Sequence, residues 1–208
     1  MLEASDGPAA IRHGPQAWPK EAQVEWRPVL YVIASGAAPA RELPALITAL
    51  TDVWDTCVIT TPEGSRFFDS SRVAELTGHP VRTSFKDPDA ADVLPPAQAF
   101  AAAPATFNTI NKWAAGISDT LALGLLNEAT GLGLPIVTVP WPNVALARHP
   151  AFGRSISTLR GCGIRVIFDP GRLPDDDHPG QAEFPWDELR AELARMRTAL
   201  ADGGQAPA

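Results

Sequence analysis

At 208 residues the chain is long enough for one domain with a core that folds without staples. Apolar residues make up 45% and charged residues 20%, an ordinary balance for a soluble globular protein, and a net charge of -7 with no dense Lys/Arg block excludes a nucleic-acid role built on neutralising phosphates. Cys57 and Cys162 make no disulfide framework and fit a reducing cytoplasm, no apolar run reaches the length of a membrane span, and the N-terminus has no apolar core of signal-peptide type.

Residues 1–27 mix Gly, Pro, Ala and charge without a sustained period and read as a tail or strap. Trp18 and Trp26 suggest that this strap docks on the body or on a neighbouring subunit. Val29 to Ala34, VLYVIA, is a continuous apolar run of the kind buried on both faces in a parallel sheet. The small-residue turn SGAAPA follows, and then Leu43, Leu46, Ile47 and Leu50 recur at helical spacing. Strand, small turn and helix make the first half of a βαβ unit. Small side chains let backbone N–H groups approach a phosphate. Read alone, with neither a GxGxxG nor a Walker pattern, the stretch is a tight turn without a ligand.

Thr56 to Thr61 is the second expected strand, with Thr60, Thr61 and Ser65 placing hydroxyls at its C-terminal end. Val81 to Thr83 is expected as a short strand, and Leu94-Pro95-Pro96 as the start of a helical turn. Ala99 to Ala103 is the central strand, so rich in alanine that a close approach is expected on each face. Thr106, Asn108, Thr109 and Asn111 then cluster two hydroxyls and two amides at the start of a helix. The carboxyl end of a strand meeting the N-terminus of the next helix is where α/β sheets hold ligands. Helices are expected over 106–116 and 117–132 with a break at Gly116. Pro135 to Val139 and Ile164 to Phe168 read as strands, Phe152 to Arg160 and Trp186 to Ala201 as helices. Strands alternating with helices give an open, largely parallel sheet covered on both faces. The expected organisation is a tail over 1–27, one domain over 28–201 and a short tail over 202–208.

PATFNTINKWAAGISD, Pro104 to Asp119, resembles the P-A-S-A-N-T motif and following helix of the homo-oligomeric flavin-containing cysteine decarboxylases. That family includes phosphopantothenoylcysteine and peptidyl-cysteine decarboxylases, with flavin prenyltransferases as more distant relatives. VLYVIASGAA is similar to its opening strand and phosphate turn, TTPEGSRFF to its T-x-x-A-x-x-F segment, and PWPNVALARHP to its substrate clamp, P-x-M-N-x-x-M-W-x-N-P. The resemblance runs from Val29 to Phe168 with the elements in order. It implies a flavodoxin-like, Rossmann-like fold, FMN bound between subunits, and a homo-oligomer of trimers or multiples of trimers. By the same resemblance Ser35, Gly36 and Ala37 face the FMN phosphate and Thr61 lies near the phosphate and ribityl chain. Thr106, Phe107, Asn108 and Thr109 line the flavin. Asp119 falls on a family aspartate, and Asn143 on the clamp residue that contacts the substrate carboxylate.

The residues agree with this without the family: the strand ends at Ser35, Thr61 and Thr106 all present hydroxyls toward one edge of the sheet. Phe107, Trp113 and Trp141 are candidate flat walls; Trp113 reads better as packing, and Trp141 stays open between the two. The departures concern chemistry. The family's active histidine, about fourteen residues before the motif proline, falls on Ala90, within PDAADV. Pro142 and Leu146 replace the clamp methionines, and residues 169–185 hold no counterpart of the family's flap cysteine. His79 reads as an exposed turn residue; His149 is either a substrate contact or a helix start. No metal-ligand spacing occurs.

Two functions follow. The first is an FMN-dependent, decarboxylase-like oxidoreductase acting on a cysteine-type or related carboxylate, a small molecule or a peptide. The second is an FMN-binding protein without decarboxylase activity: a flavin carrier, a prenyltransferase-like flavin-modifying protein or an oligomeric partner.

Overall fold

The computed structural model describes residues 26–87, 89–175 and 182–203. Most of the strap expected at the N-terminus, Trp18 included, lies outside the described residues; Trp26 is half exposed. Five parallel strands form one sheet in the order β2-β1-β3-β4-β5. They are β1 (Val29–Ala34), β2 (Asp55–Thr60), β3 (Ala99–Ala105), β4 (Ile136–Pro140) and β5 (Arg165–Val166). The helices are α1 (Leu43–Leu50), α2 (Ser70–Thr77), α3 (Phe107–Ala114), α4 (Leu121–Gly131), α5 (Val144–Ala147), α6 (Pro150–Gly161) and α7 (Trp186–Ala201). This is the flavodoxin-like, Rossmann-type arrangement.

Strand residues alternate between two cores, because successive side chains in a strand point to opposite faces. On one face Leu30, Val32 and Ala34 of β1, Ala101 and Ala103 of β3 and Val137 and Val139 of β4 pack under α1 and α7. On the other, Tyr31 and Ile33, Cys57 and Ile59, Phe100 and Ala102 pack under α3, α4 and α6. With both faces covered, the strands read as unbroken apolar runs. The alanine row of β3 is fully buried on both sides. Burial also pushes the Cys57 thiol up to about 12, with Asp55 adding to the shift.

Side-chain caps set the helix starts. Asp69 accepts the amides of Ser71 and Arg72 at α2, Thr106 that of Thr109 at α3, and Thr120 that of Leu123 at α4. His149 caps α6 through Nδ1, 3.1 Å from the Ala151 amide, with Pro150 at the first helical position.

Five expectations shift. The helix expected from Ile117 begins instead at Leu121, because Gly116 turns with φ 72° and Thr120 supplies the cap. Leu94-Pro95-Pro96 makes no helical turn; it runs irregularly, and the Pro95 carbonyl accepts the Tyr31 hydroxyl at 2.9 Å. The strand expected at 81–83 reduces to one bridge, Arg82 with Ile59. At the sheet edge, β5 pairs over only two residues, although Ile167 still donates its amide to Thr138. His79 is not a free turn residue, since its Nε2 lies 2.7 Å from Asp55 Oδ1 and ties the end of α2 to β2.

Candidate functional site: a donor-lined cleft at the strand ends

The order β2-β1-β3-β4-β5 reverses its direction of winding between β1 and β3, and at such a switch point an open parallel sheet leaves a crevice beyond its carboxyl ends. A cleft of about 820 Å³ opens there, within the range of roughly 300–1,000 Å³ usual for small-ligand sites. The turn after β1 contributes Gly36 and Ala37, the end of β2 contributes Thr61, and the start of α3 contributes Thr106, Phe107, Asn108 and Thr109. Asn143 closes it from the loop after β4. Residues more than one hundred positions apart thus share one cavity because three parallel strands end side by side.

Two of the expected site residues do not line the cleft. Ser35 is 1% exposed and turns its hydroxyl onto Thr109 Oγ1 at 2.9 Å; its amide goes to the Pro104 carbonyl. Its buried position follows from the last inward step of β1. Asp119 stands behind Lys112, its Oδ2 2.5 Å from Nζ, and it is Lys112 that faces the cavity.

Most polar groups on the cleft floor are donors. Acceptor capacity is consumed locally: Thr61 Oγ1 accepts the Gly64 amide at 3.0 Å, Thr106 Oγ1 accepts the Thr109 amide at 3.3 Å, and Asn143 Oδ1 accepts the Leu146 amide at 2.8 Å. The Thr61 hydroxyl and the Asn143 amide each keep a proton to offer. Among the described residues the amides of Gly36, Ala38, Phe107 and Asn108 have no acceptor, as expected for the first turns of two helical segments. Glu42 and Glu63 stand in the lining, Glu63 paired with Arg66 at 3.0 Å, and Lys112 is the one cation of the described lining. An anion seated here is therefore held by backbone amides and hydroxyls rather than by a ring of cationic side chains.

The walls are aromatic. Phe107 stacks on Phe152 with centroids 5.9 Å apart and meets the edge of His149 at 5.8 Å. Opposite, Trp141 packs edge-on to Phe184 at 5.1 Å, and Phe184 against Trp186 at 4.3 Å. Trp141, left open by the sequence, is both a core residue and a wall. Trp113 is packing, donating its indole N–H to Thr130 at 3.0 Å. Among the described residues no histidine lines the cleft: His149 lies behind Phe107 with Nδ1 spent on its cap, and Ala90 is exposed.

Sequence reasoning missed Thr120, Lys112 and Phe184. Thr120 carries a legible signal, a threonine three residues before a helical Leu. Phe184 carries none, because only the path of the chain after β5 brings it back.

The Flavoprotein family profile matches residues 20–197. The chain belongs to the Flavoprotein family. A cysteine/cysteine sulfinic acid decarboxylase of an unknown prokaryotic organism is 33% identical over 105 residues, covering 48% of this chain and 28% of that protein. The chain thus spans little more than a quarter of the curated relative's length. Among solved structures, the FMN-dependent cysteine decarboxylase TvaF from thioviridamide biosynthesis superposes with a TM-score of 0.68 at 21% identity, covering 83% of this chain and 99% of that one. The FMN-binding protein AtHal3 gives 0.64 at 20% identity, covering 82% and 96%. At these identities the likeness establishes a shared fold. Among the described residues no helix is long and apolar enough to cross a membrane, and no group of three or more His, Cys, Asp or Glu could hold a metal ion.

Proposed function

We propose that this Flavoprotein-family chain binds FMN in the cleft at the ends of β1, β2 and β3 and works on a carboxylate-bearing, cysteine-type substrate. The observation that carries the reading is the donor-rich floor between aromatic walls. FMN presents phosphate oxygens, ribityl oxygens and a ring edge rich in acceptors, and its flat ring needs apolar faces. The chain fits that demand. Gly36, Ala37 and Ala38 would hold the phosphate, Thr61 the adjoining polar chain, and Thr106, Phe107, Asn108 and Thr109 the ring. Bound FMN supplies a two-electron acceptor for oxidation of a thiol-bearing carbon. The protein's own part is to bind, orient and exclude water. Asn143 Nδ2 offers a donor to the substrate carboxylate, and the amides at the start of α3 favour negative charge nearby.

The second reading, a flavin-binding protein without decarboxylase activity, is favoured by a specific observation. Among the described residues the lining holds no imidazole for proton transfer, and the Asp92 carboxylate on the segment between α2 and β3 is paired with Lys86 at 2.8 Å. One experiment separates the two. Purified protein is incubated with FMN, then with cysteine-terminated peptides and phosphopantothenoylcysteine, and products are read by mass. Flavin uptake with loss of carbon dioxide and two hydrogens supports the first reading. Uptake without mass change supports the second, and a protein that takes up no flavin refutes both.

The reading extends to assembly and organisation. The flavoprotein domain would span residues 28–201, with tails on either side. Phe85, Val93, Ile117 and Leu132 are each 43–68% exposed, and Phe85, Val93 and Leu132 line a second depression of about 870 Å³ beside α4. So much exposed apolar surface fits a contact between copies of the chain. A trimer or a multiple of trimers is expected by sedimentation equilibrium. A monomer at micromolar concentration refutes it.

A further inference from the structure

The hydroxyls of Ser35, Thr109 and Thr106 form a chain of contacts, 2.9 Å from Ser35 Oγ to Thr109 Oγ1 and 3.0 Å from there to Thr106 Oγ1. Ser35 and Thr109 are 1% and 4% exposed; Thr106 and Thr109 both line the cleft, and Ser35 alone of the three lies off it. Such a chain can run in two directions. If Thr106 donates inward, Thr109 donates to Ser35 and the Ser35 proton has no acceptor among the described residues. A buried hydroxyl proton left without a partner is costly. If Ser35 donates to Thr109 and Thr109 to Thr106, every buried proton is used and the last one is delivered to the cavity. Thr106 Oγ1 already accepts the Thr109 amide, which adds a second donor onto the same oxygen and sharpens its own donation outward.

We propose that Ser35 is a positioning residue: its dead-end hydroxyl fixes a one-way relay through Thr109 that makes Thr106 a donor, so the ligand atom seated on Thr106 is a hydrogen-bond acceptor. The inference rests on the FMN reading for its ligand but not for its order. Ser35 touches nothing in the cleft, yet sets the polarity of a residue that does.

The test is a double-mutant cycle on FMN affinity and on the visible absorption band of the bound flavin. Thr106→Val is expected to raise the FMN dissociation constant by about tenfold, the loss of one hydrogen bond. Ser35→Ala alone is expected to raise it by about threefold, through weaker polarisation along the relay, and to shift the flavin band. In the Thr106→Val background Ser35→Ala is expected to change neither. A merely structural role for Ser35 would move both backgrounds alike, and equal effects, or no effect in the parent, overturn the proposal. Should the parent protein take up no FMN, the ligand reading fails, and the relay is judged in the apo protein by NMR of its slowly exchanging hydroxyl protons. A Ser35 proton lying toward Thr109 and a Thr109 proton lying toward Thr106 support the order; the reverse order overturns it.

Discussion

Gly64→Ala is expected to destabilise the protein by about 3 kcal/mol and to lower its melting temperature by about 6–12 °C. A Cβ at this position would lie 2.5 Å from the Ala34 carbonyl oxygen, would overlap Thr60 Oγ1, and would stand 3.1 Å from Thr61 Oγ1. Two of these atoms belong to the ends of β1 and β2, and neither can swing away as the tip of a flexible side chain does. Thr60 Oγ1 is itself held to the Ala34 carbonyl at 3.1 Å, so relief at one contact worsens another. Gly64 also delivers its amide to Thr61 Oγ1, so a displaced turn is expected to turn Thr61 away from the cleft. Flavin uptake is therefore expected to fall together with stability. Gly131→Ala is the control, because a Cβ there meets nothing within 4 Å and the residue closes a helix; it is expected to be neutral or mildly stabilising. Thermal melts of the two variants side by side decide the matter. A Gly64→Ala protein that melts with the parent shows that the strand ends yield more easily than their contacts imply.

The second large effect lies at Asn143. Its Oδ1 caps α5 by accepting the Leu146 amide, and its Nδ2 is the group that the proposed function assigns to a substrate. Asn143→Asp preserves the first and reverses the second. A carboxylate caps a helix as well as an amide does, so folding and flavin affinity are expected to stay with the parent. A substrate carboxylate would then meet a like charge in place of a donor. The expected loss in kcat/KM toward a carboxylate substrate is at least about a hundredfold. Asn143→Ala removes both functions, costs about 1 kcal/mol of capping stability, and blurs the two. Steady-state kinetics on the Asp variant gives the answer, and unchanged kcat/KM with intact flavin removes Asn143 from substrate binding.

How much of this was legible in the residues follows from what a sequence encodes directly. Apolar runs such as VLYVIA, and the spacing of Leu43, Leu46, Ile47 and Leu50, are one-dimensional records of burial, and the elements they announce are in place. The three hydroxyl-bearing strand ends were visible for the same reason. Hydrogen-bond partners are not written this way. Ile164 to Phe168 is apolar enough for a strand, yet only two residues pair, because an edge position is buried by side-chain packing whether or not its backbone joins the ladder. Leu94-Pro95-Pro96 has local turn chemistry, but the Tyr31 hydroxyl holds its carbonyl across 64 residues. Ser35 carries the right atom for a ligand, and only the pleat of β1 reveals that the atom points inward. Phe184 reaches the cleft through a fold-back that no local pattern announces.

The two aromatic walls of the cleft belong to different cores. Phe107 packs with the α3, α4 and α6 layer, while Trp141 and Phe184 pack with the α1 and α7 layer, and the sheet keeps those layers apart. The floor between them is built from strand ends and backbone amides. A change of wall is thus a repacking of one layer that leaves the grip on the floor untouched. The architecture thus lets the packing of one side of the cleft change while the strand ends that make its floor keep their places.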